Sequence, residues 1–391
     1  MSEQERLFAV IDGMENELCA MSDHIFDHPE VAMHEFESME ILAERLESAG
    51  FDVERGVGGL ETSFKAVYTR GNGGPNLGLL CEYDALPGMG HGCAHHMQGP
   101  TILGAALALK ESASKNPFTV TVYGTPAEES VGGKIIMLKN GCFSELDVAL
   151  MVHGAPNTSV DLKSMALSSF KVRFRGRSTH AAMSPDEGRS ALDGLLLMFN
   201  GIEFLREHVR EDTRIHYTVT DAGGPDNVVP AYAEGTVTLR SYNRVYLDSV
   251  VDRFKDIVKG AELMTGTEGT IDPDLPFDSK IPVLALNEIL MDKAKELGAP
   301  SIAPPRERTG STDFGNVMFR IPGSCLRISF VSEGTVAHST EYLDAGKGPE
   351  IHRAIVMAAK IISASCLELI EKPSCLKGIA VEFRDKKLSL G

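Results

Sequence analysis

The sequence predicts an α/β protein: a mostly parallel sheet with helices on both faces, into which a smaller ferredoxin-like domain is inserted. Three observations point there. The 391 residues exceed one ordinary domain and suit two. Short apolar runs alternate with helical patterns at both ends of the chain. In between, Phe170, Val172 and Phe174 alternate with Lys171, Arg173 and Arg175, the period of a half-exposed strand.

The elements follow in order. From Glu5 to Gly50, apolar residues recur at helical spacing, as at Met39, Leu42 and Leu46, and predict two amphipathic helices. Asn72-Gly73-Gly74-Pro75 marks a turn, and the apolar run Leu77 to Tyr83 predicts a buried strand. Pro100 suits the opening of a helix over Thr101 to Lys110. Next come a strand at Phe118 to Tyr123, a helix at Val131 to Lys139 and a strand at Val148 to Val152. After the strand around Phe170, a helix (Ser190 to Val209), two strands (Arg214 to Thr220, Ala233 to Ser241), a helix (Tyr246 to Leu263) and a strand (Gly266 to Ile271) complete a β-α-β-β-α-β order. A helix at Leu284 to Leu297, a strand at Cys325 to Val331 and a helix at Ile351 to Leu369 resume the first pattern. The expected domains are therefore 1–167 with 277–391, and 168–276.

A formal net charge of −17 repels phosphate backbones and anionic lipid, so neither nucleic acid nor a membrane is an expected partner. Met1 to Ala9 lacks the basic-then-apolar pattern of a secretory signal, and no apolar run suffices to span a bilayer, so a cytoplasmic location is expected. Seven cysteines are too few and too scattered for a disulfide framework. Cys19, Cys81, Cys142, Cys325, Cys366 and Cys375 lie in stretches that read as apolar strands, helices or their ends, and most of them read as small core hydrophobes. Cys93 stands apart in Gly90-His91-Gly92-Cys93-Ala94-His95-His96, a polar turn crowded with donors.

In a doubly wound sheet, ligands gather beyond the carboxyl ends of the strands. The strand ending at Tyr83 leads to Asp84, Cys93 and His95; that ending at Tyr123 leads to Glu128 and Glu129; those ending at Val152 and Val331 lead to His153 and His338. Four strands thus deliver thiolate, imidazole and carboxylate groups to one sheet edge, where five of them could hold one divalent ion or a co-catalytic pair. Neighbouring glutamates allow one carboxylate to sit on metal while the other takes a proton from water. Each piece alone has a plainer reading: a packed loop pair for Cys93 and His95, a solvated turn for Glu128 and Glu129, a core histidine for His153, a cap for His338. Their joint placement favours the metal reading. A dinucleotide fingerprint, a Gly-x-Ser-x-Gly elbow and a phosphate-binding Gly-Lys-Ser/Thr loop are all absent from the sequence.

At these residues the chain resembles, nearly end to end, the amidohydrolase branch of the aminoacylase and glutamate-carboxypeptidase family. The resemblance lies in Glu82-Tyr83-Asp84-Ala85-Leu86-Pro87-Gly88, the segment His91 to His95, Gly124-Thr125-Pro126-Ala127-Glu128-Glu129, Ser178-Thr179-His180-Ala181-Ala182, Asn227-Val228-Val229-Pro230, Gly310 to Asn316, and Ala337-His338-Ser339. It implies two divalent ions, zinc or manganese with cobalt a further candidate, bound by Cys93, His95, Glu129, His153 and His338. It implies that Glu128 carries a proton from the attacking water to the leaving amine, and that Asp84 orients a ligand imidazole. The inserted domain resembles a lid that also dimerises, giving a homodimer. On it His180 would polarise the scissile carbonyl, while Asn227 and Arg240 would grip the carboxylate of a small-molecule substrate. A turn role for His180 and a surface role for Arg240 remain open.

The implied reaction is hydrolysis of an N-acyl or aminoacyl amino acid. An unusual C–N hydrolase acting on an aromatic amine or amide is a rival, and so is a catalytically silent metal-binding protein, against which Glu128 argues. The chain departs from the family pattern in two motifs. Its usual His-Ala-Cys-Gly-His followed by Asp or Asn reads His91-Gly92-Cys93-Ala94-His95-His96 here, and its Gly-x-Asn-Ala reads Gly188-Arg189-Ser190-Ala191. If the family's glycine takes a left-handed backbone, Ala94 must avoid that conformation or bear strain. His96 could be an extra ligand, a donor to a ligand, or a specificity residue.

Overall fold

The computed structural model describes residues 1–112, 114–307 and 309–391. Its strands are β1 (Asp52–Arg55), β2 (Phe64–Arg70), β3 (Asn76–Cys81), β4 (Phe118–Gly124), β5 (Val148–Ala155), β6 (Ser159–Val160), β7 (Ala166–Arg175), β8 (Arg214–Asp221), β9 (Tyr232–Ser241), β10 (Glu268–Pro273) and β11 (Gly323–Ser329). They fall in two compact units, one of Met1–Ser164 with Lys280–Leu388, the other of Met165–Ser279 with Ser389–Gly391.

The first unit holds a sheet in the order β1-β2-β4-β3-β5-β11-β6. Its centre, β4-β3-β5-β11, is parallel, and the outer pairs are antiparallel. The central strands can be parallel because helices cover both faces. On one face, Leu80, Tyr123, Ala149 and Met151 pack against Met137 of the helix Gly133–Lys139 and Phe314 of the helix Phe314–Met318. On the other, the helix Gln98–Lys110 lies over β3, β4 and β5 and beneath the helix Pro349–Glu371. Every residue of β5 is buried, which explains its unbroken apolar run.

The second unit orders its strands β10-β7-β9-β8, all antiparallel, with the helices Ala191–Arg206 and Arg244–Thr265 in β-α-β-β-α-β succession. Burial alternates along β7 and β9, and the inward residues Phe170, Val172, Phe174, Val237 and Leu239 pack on Leu195, Met198 and Phe254. This is the ferredoxin-like arrangement.

Some expected boundaries move. The segment before Gly50 contains three helices, not two: Glu3–Gly13, Glu15–Asp27 and Phe36–Ser48. Met14 ends the first and starts the second, and Gly13 is the stop signal between them, with no proline beside it. Pro100 lies at the third position of its helix, still within the turn whose N–H groups have no intrahelical partner. Gly266 is not in a strand; at φ 65° it ends the preceding helix in the left-handed conformation, and β10 begins at Glu268. Cys19, Cys81, Cys325 and Cys366 are buried, and Cys142 and Cys375 are partly exposed, so most of these six cysteines lie in the core, as expected. Among the described residues, no helix is long and apolar enough to cross a membrane.

Candidate metal centre

The loop after β3 supplies two donors through one unusual residue. Ala94 takes φ 59° and ψ 31°, so it adopts the left-handed conformation, at a cost of about 1–2 kcal/mol. That turn sends the chain into the short helical turn His95–Met97. His95 Nδ1 then lies 3.0 Å from Asp84 Oδ1, leaving Nε2 to face the cluster. The other Asp84 oxygen accepts from the Glu129 amide at 2.9 Å, so one carboxylate ties the β3 loop to the β4 loop.

The β4 loop is pinned from below. Ala127 has φ 62°, and its N–H donates to Glu35 Oε1 at 2.9 Å, while Thr62 Oγ1 donates to Glu35 Oε2 at 2.9 Å. Burial raises the Glu35 carboxyl to about 7. Glu128 and Glu129 follow directly. His153 lies inside β5, which runs on to Ala155, rather than just beyond its end. Its Nδ1 is 2.7 Å from the Gly154 carbonyl, and its Nε2 is 3.5 Å from Cys93 Sγ. His338, at φ 67°, donates its N–H to the Gly92 carbonyl at 2.9 Å and brings Nε2 to 3.3 Å from Glu129 Oε1.

The structure thus brings together Asp84, Cys93, His95, Glu128, Glu129, His153 and His338. Donor atoms of Cys93, His95 and His153 lie within 4.8 Å of one another, as do those of Cys93, Glu129 and His338, and those of His95, Glu128 and Glu129. Cys93 belongs to two of these triads. His95 Nε2 and Glu129 Oε1, 3.8 Å apart, are buried with no hydrogen-bond partner among the described residues. Buried polar atoms are ordinarily satisfied, and a cation between these two would satisfy both, so the residues present fit a divalent ion.

Electrostatics mark the same place. Burial, reinforced by Glu82 and Asp313, holds the Glu128 carboxyl well above its usual range. Burial pushes the Cys93 thiol up to about 12 despite the pull of His95. Burial, then Arg327 and His95, depress His153. Burial would also lower His95, but Cys93, Glu82 and Asp84 outweigh it and raise the imidazole well above its usual value.

Sequence reasoning assigned no role to the layer beneath. Lys134 Nζ lies 2.6 Å from Glu82 Oε1 and 2.8 Å from Asp313 Oδ1, all three side chains being buried. Oxygens of Glu82 and Asp313 come within 4.8 Å of Glu128. Glu82 and Asp313 sit in the two runs beginning at Glu82 and Gly310, which was their only signal; Lys134 carried none. His96 lies outside the donor triads: its Nε2 is 2.8 Å from the Gly346 carbonyl and its buried ring packs edge-on against Phe26.

His180, Asn227 and Arg240 belong to the second unit. His180 is exposed and bridges Val228, and the Ala181 amide donates to the Asn227 carbonyl at 2.9 Å, so His180 and Asn227 are neighbours. Arg240 lies at the far end of β9, about 26 Å along the strand from Tyr232.

Comparison with known proteins places this geometry in context. The model of Peptidase family M20/M25/M40 matches residues 78–364. The Xaa-Arg dipeptidase of Mus musculus is 31% identical, over 96% of this chain and 91% of its own length. One of the p-aminobenzoyl-glutamate hydrolase subunits of Escherichia coli is 31% identical, over 89% of this chain and 88% of its own. A Bacillus subtilis dinuclear metal-binding peptidase of the M20 family shares the fold, with a TM-score of 0.72 at 18% identity, covering 92% of this chain and 99% of that one.

Proposed function

The chain belongs to Peptidase family M20/M25/M40 and is a hydrolase of amide C–N bonds, and from that premise we propose that it uses two divalent ions and Glu128 to cleave an N-acyl or aminoacyl amino acid. One observation carries the reading: His95 Nε2 and Glu129 Oε1, buried and without a hydrogen bond among the described residues, stand among a thiol, two further imidazoles and a second glutamate gathered from separate segments of the chain.

In this reading Cys93, His95, Glu129, His153 and His338 hold the ions, zinc or manganese, with cobalt also compatible with the donor set. When bound, the ions supply the positive charge that polarises the scissile carbonyl and acidifies the attacking water. Glu128 does the proton work. It lines the cavity beside Glu129, so as a carboxylate it can accept the water's proton and hand it to the departing nitrogen. Asp84 fixes the His95 ring so that Nε2 faces the cluster.

The second unit acts as lid and dimerisation domain. His180 polarises the carbonyl, and Asn227 and Arg240 read a free carboxylate. Their separation along the unit is met in a homodimer, with His180 and Asn227 from one copy and Arg240 from the other. The cysteines, none of them disulfide-bonded, support a cytoplasmic location. The test is Glu128→Gln: it should retain metal while kcat falls by about a hundredfold to ten-thousandfold. Wild-type turnover by that variant would remove Glu128 from its role.

A further inference from the structure

A cavity of about 640 Å³ opens on the donor cluster, and its two walls carry opposite charge. One wall holds Glu82, Glu128 and Glu129; the other holds Arg306 and Arg327. The acidic wall belongs to the proposed ion site. The basic wall takes no part in the proton transfer or in holding the ions.

Arg327 lies on β11 in register with His153 on β5, so both side chains project from the same face of the sheet. Its Nε and Nη2 lie 3.3 and 3.1 Å from Asp161 Oδ2. Arg306 Nε is 3.5 Å from the other Asp161 oxygen, and Lys280 Nζ is 2.6 Å from Oδ2. Three cations thus share one carboxylate among the described residues. Lys280 and Asp161 are both buried and neutralise each other; Arg306 and Arg327 then leave an excess of positive charge facing the cavity. The segment bearing Arg306 is fixed, since its N–H donates to the Val160 carbonyl at 2.8 Å and its carbonyl accepts from the Leu162 amide at 2.9 Å. Arg306 is 40% exposed, so its guanidinium is open to a ligand, while Arg327, at 12%, backs it.

We propose that Arg306 and Arg327 form an anion subsite beside the reacting bond, so that the substrate carries a carboxylate in addition to the one read by the lid. Resting on the amidohydrolase reading, this narrows the substrate class to dianionic conjugates: an acidic amino acid on one side of the amide, or a dicarboxylic acyl group on the other. A guanidinium pair recognises a carboxylate by charge and directed N–H donors, and the same wall repels a cationic side chain. A basic dipeptide is therefore disfavoured.

The test compares two near-isosteric pairs on the metal-loaded enzyme: N-acetylglutamate against N-acetylglutamine, and N-succinylalanine against N-butyrylalanine. In one pair the acidic member should have the higher kcat/KM by about tenfold or more, the pair identifying which side of the amide enters the subsite. Arg306→Met should collapse that ratio, and Arg306→Lys should retain part of it. Ratios near one in both pairs, a ratio unchanged in Arg306→Met, or a preference for N-acetylarginine over N-acetylglutamine would overturn the proposal. Calorimetry with glutarate on chelator-treated protein gives a readout independent of turnover. If no amide is cleaved yet glutarate binds and Arg306→Met weakens it, the hydrolase reading fails and the subsite stands; if wild type neither cleaves nor binds, the subsite fails.

Discussion

At the scale of single residues, Ala94 shows how a donor loop can keep its shape while losing the residue best suited to it. A left-handed alanine is tolerable because its one methyl meets the following carbonyl only lightly, whereas a β-branched side chain would clash. Ala94→Val should lower unfolding free energy by about 2–4 kcal/mol, since overpacking adds to backbone strain at a buried site. Ala94→Gly should stay within about 1 kcal/mol of wild type, the relieved strain offsetting the lost methyl. Urea titrations in which Val and Gly behaved alike would refute the strained-turn account. The sequence signalled this position because alanine stands where the family has glycine. His96 was not legible in the same way: a histidine beside two donors and a histidine bonded to the Gly346 carbonyl look identical until the fold brings residue 346 within reach.

At the scale of elements, strands were legible where burial forces an apolar run, as in β3, β4 and β5. β1 reads Asp-Val-Glu-Arg and β6 is two residues long, so neither has a pattern that survives outside the sheet. Glu35 links elements in a way no local signal reports, joining the start of the helix Phe36–Ser48 to Thr62 and to the turn before Glu128. Its raised value means the folded chain holds the proton more tightly than the unfolded chain, so its contribution favours folding at low pH and is lost as pH rises from about 4.5 to about 7. Glu35→Gln should flatten the stability profile across that window by roughly 2–3 kcal/mol. Identical profiles for the two proteins would exclude this coupling. Lys134, at the second position of its helix, is the other hidden link. Lys134→Met should destabilise by about 3–5 kcal/mol by stranding Glu82 and Asp313, and adding Asp313→Asn should recover part of the loss. Additive losses in the double variant would show that the pair is not coupled.

At the scale of the whole molecule, the candidate site was legible because strand-end geometry turns distant sequence positions into neighbours. Cys93, Glu129, His153 and His338 span 246 positions from first to last yet meet in one place, with His95 and Glu128 beside them. The charge layer of Glu82, Lys134 and Asp313, and the basic wall around Asp161, were not legible, because pairing among ordinary charged residues carries no spacing of its own. The proposed homodimer belongs to this scale too. Sedimentation equilibrium should return twice the 42.2 kDa chain mass, and a fully active monomer would contradict the sharing of His180, Asn227 and Arg240 between copies.

The cluster's capacity for two cations is tested most directly by counting metal in purified protein by mass spectrometry. Two zinc, manganese or cobalt ions per wild-type chain are expected, with loss of both in Cys93→Ala, whose thiol belongs to two of the donor triads. A wild-type chain that takes up no divalent ion after metal reconstitution, or a Cys93→Ala variant that keeps both, would contradict the account.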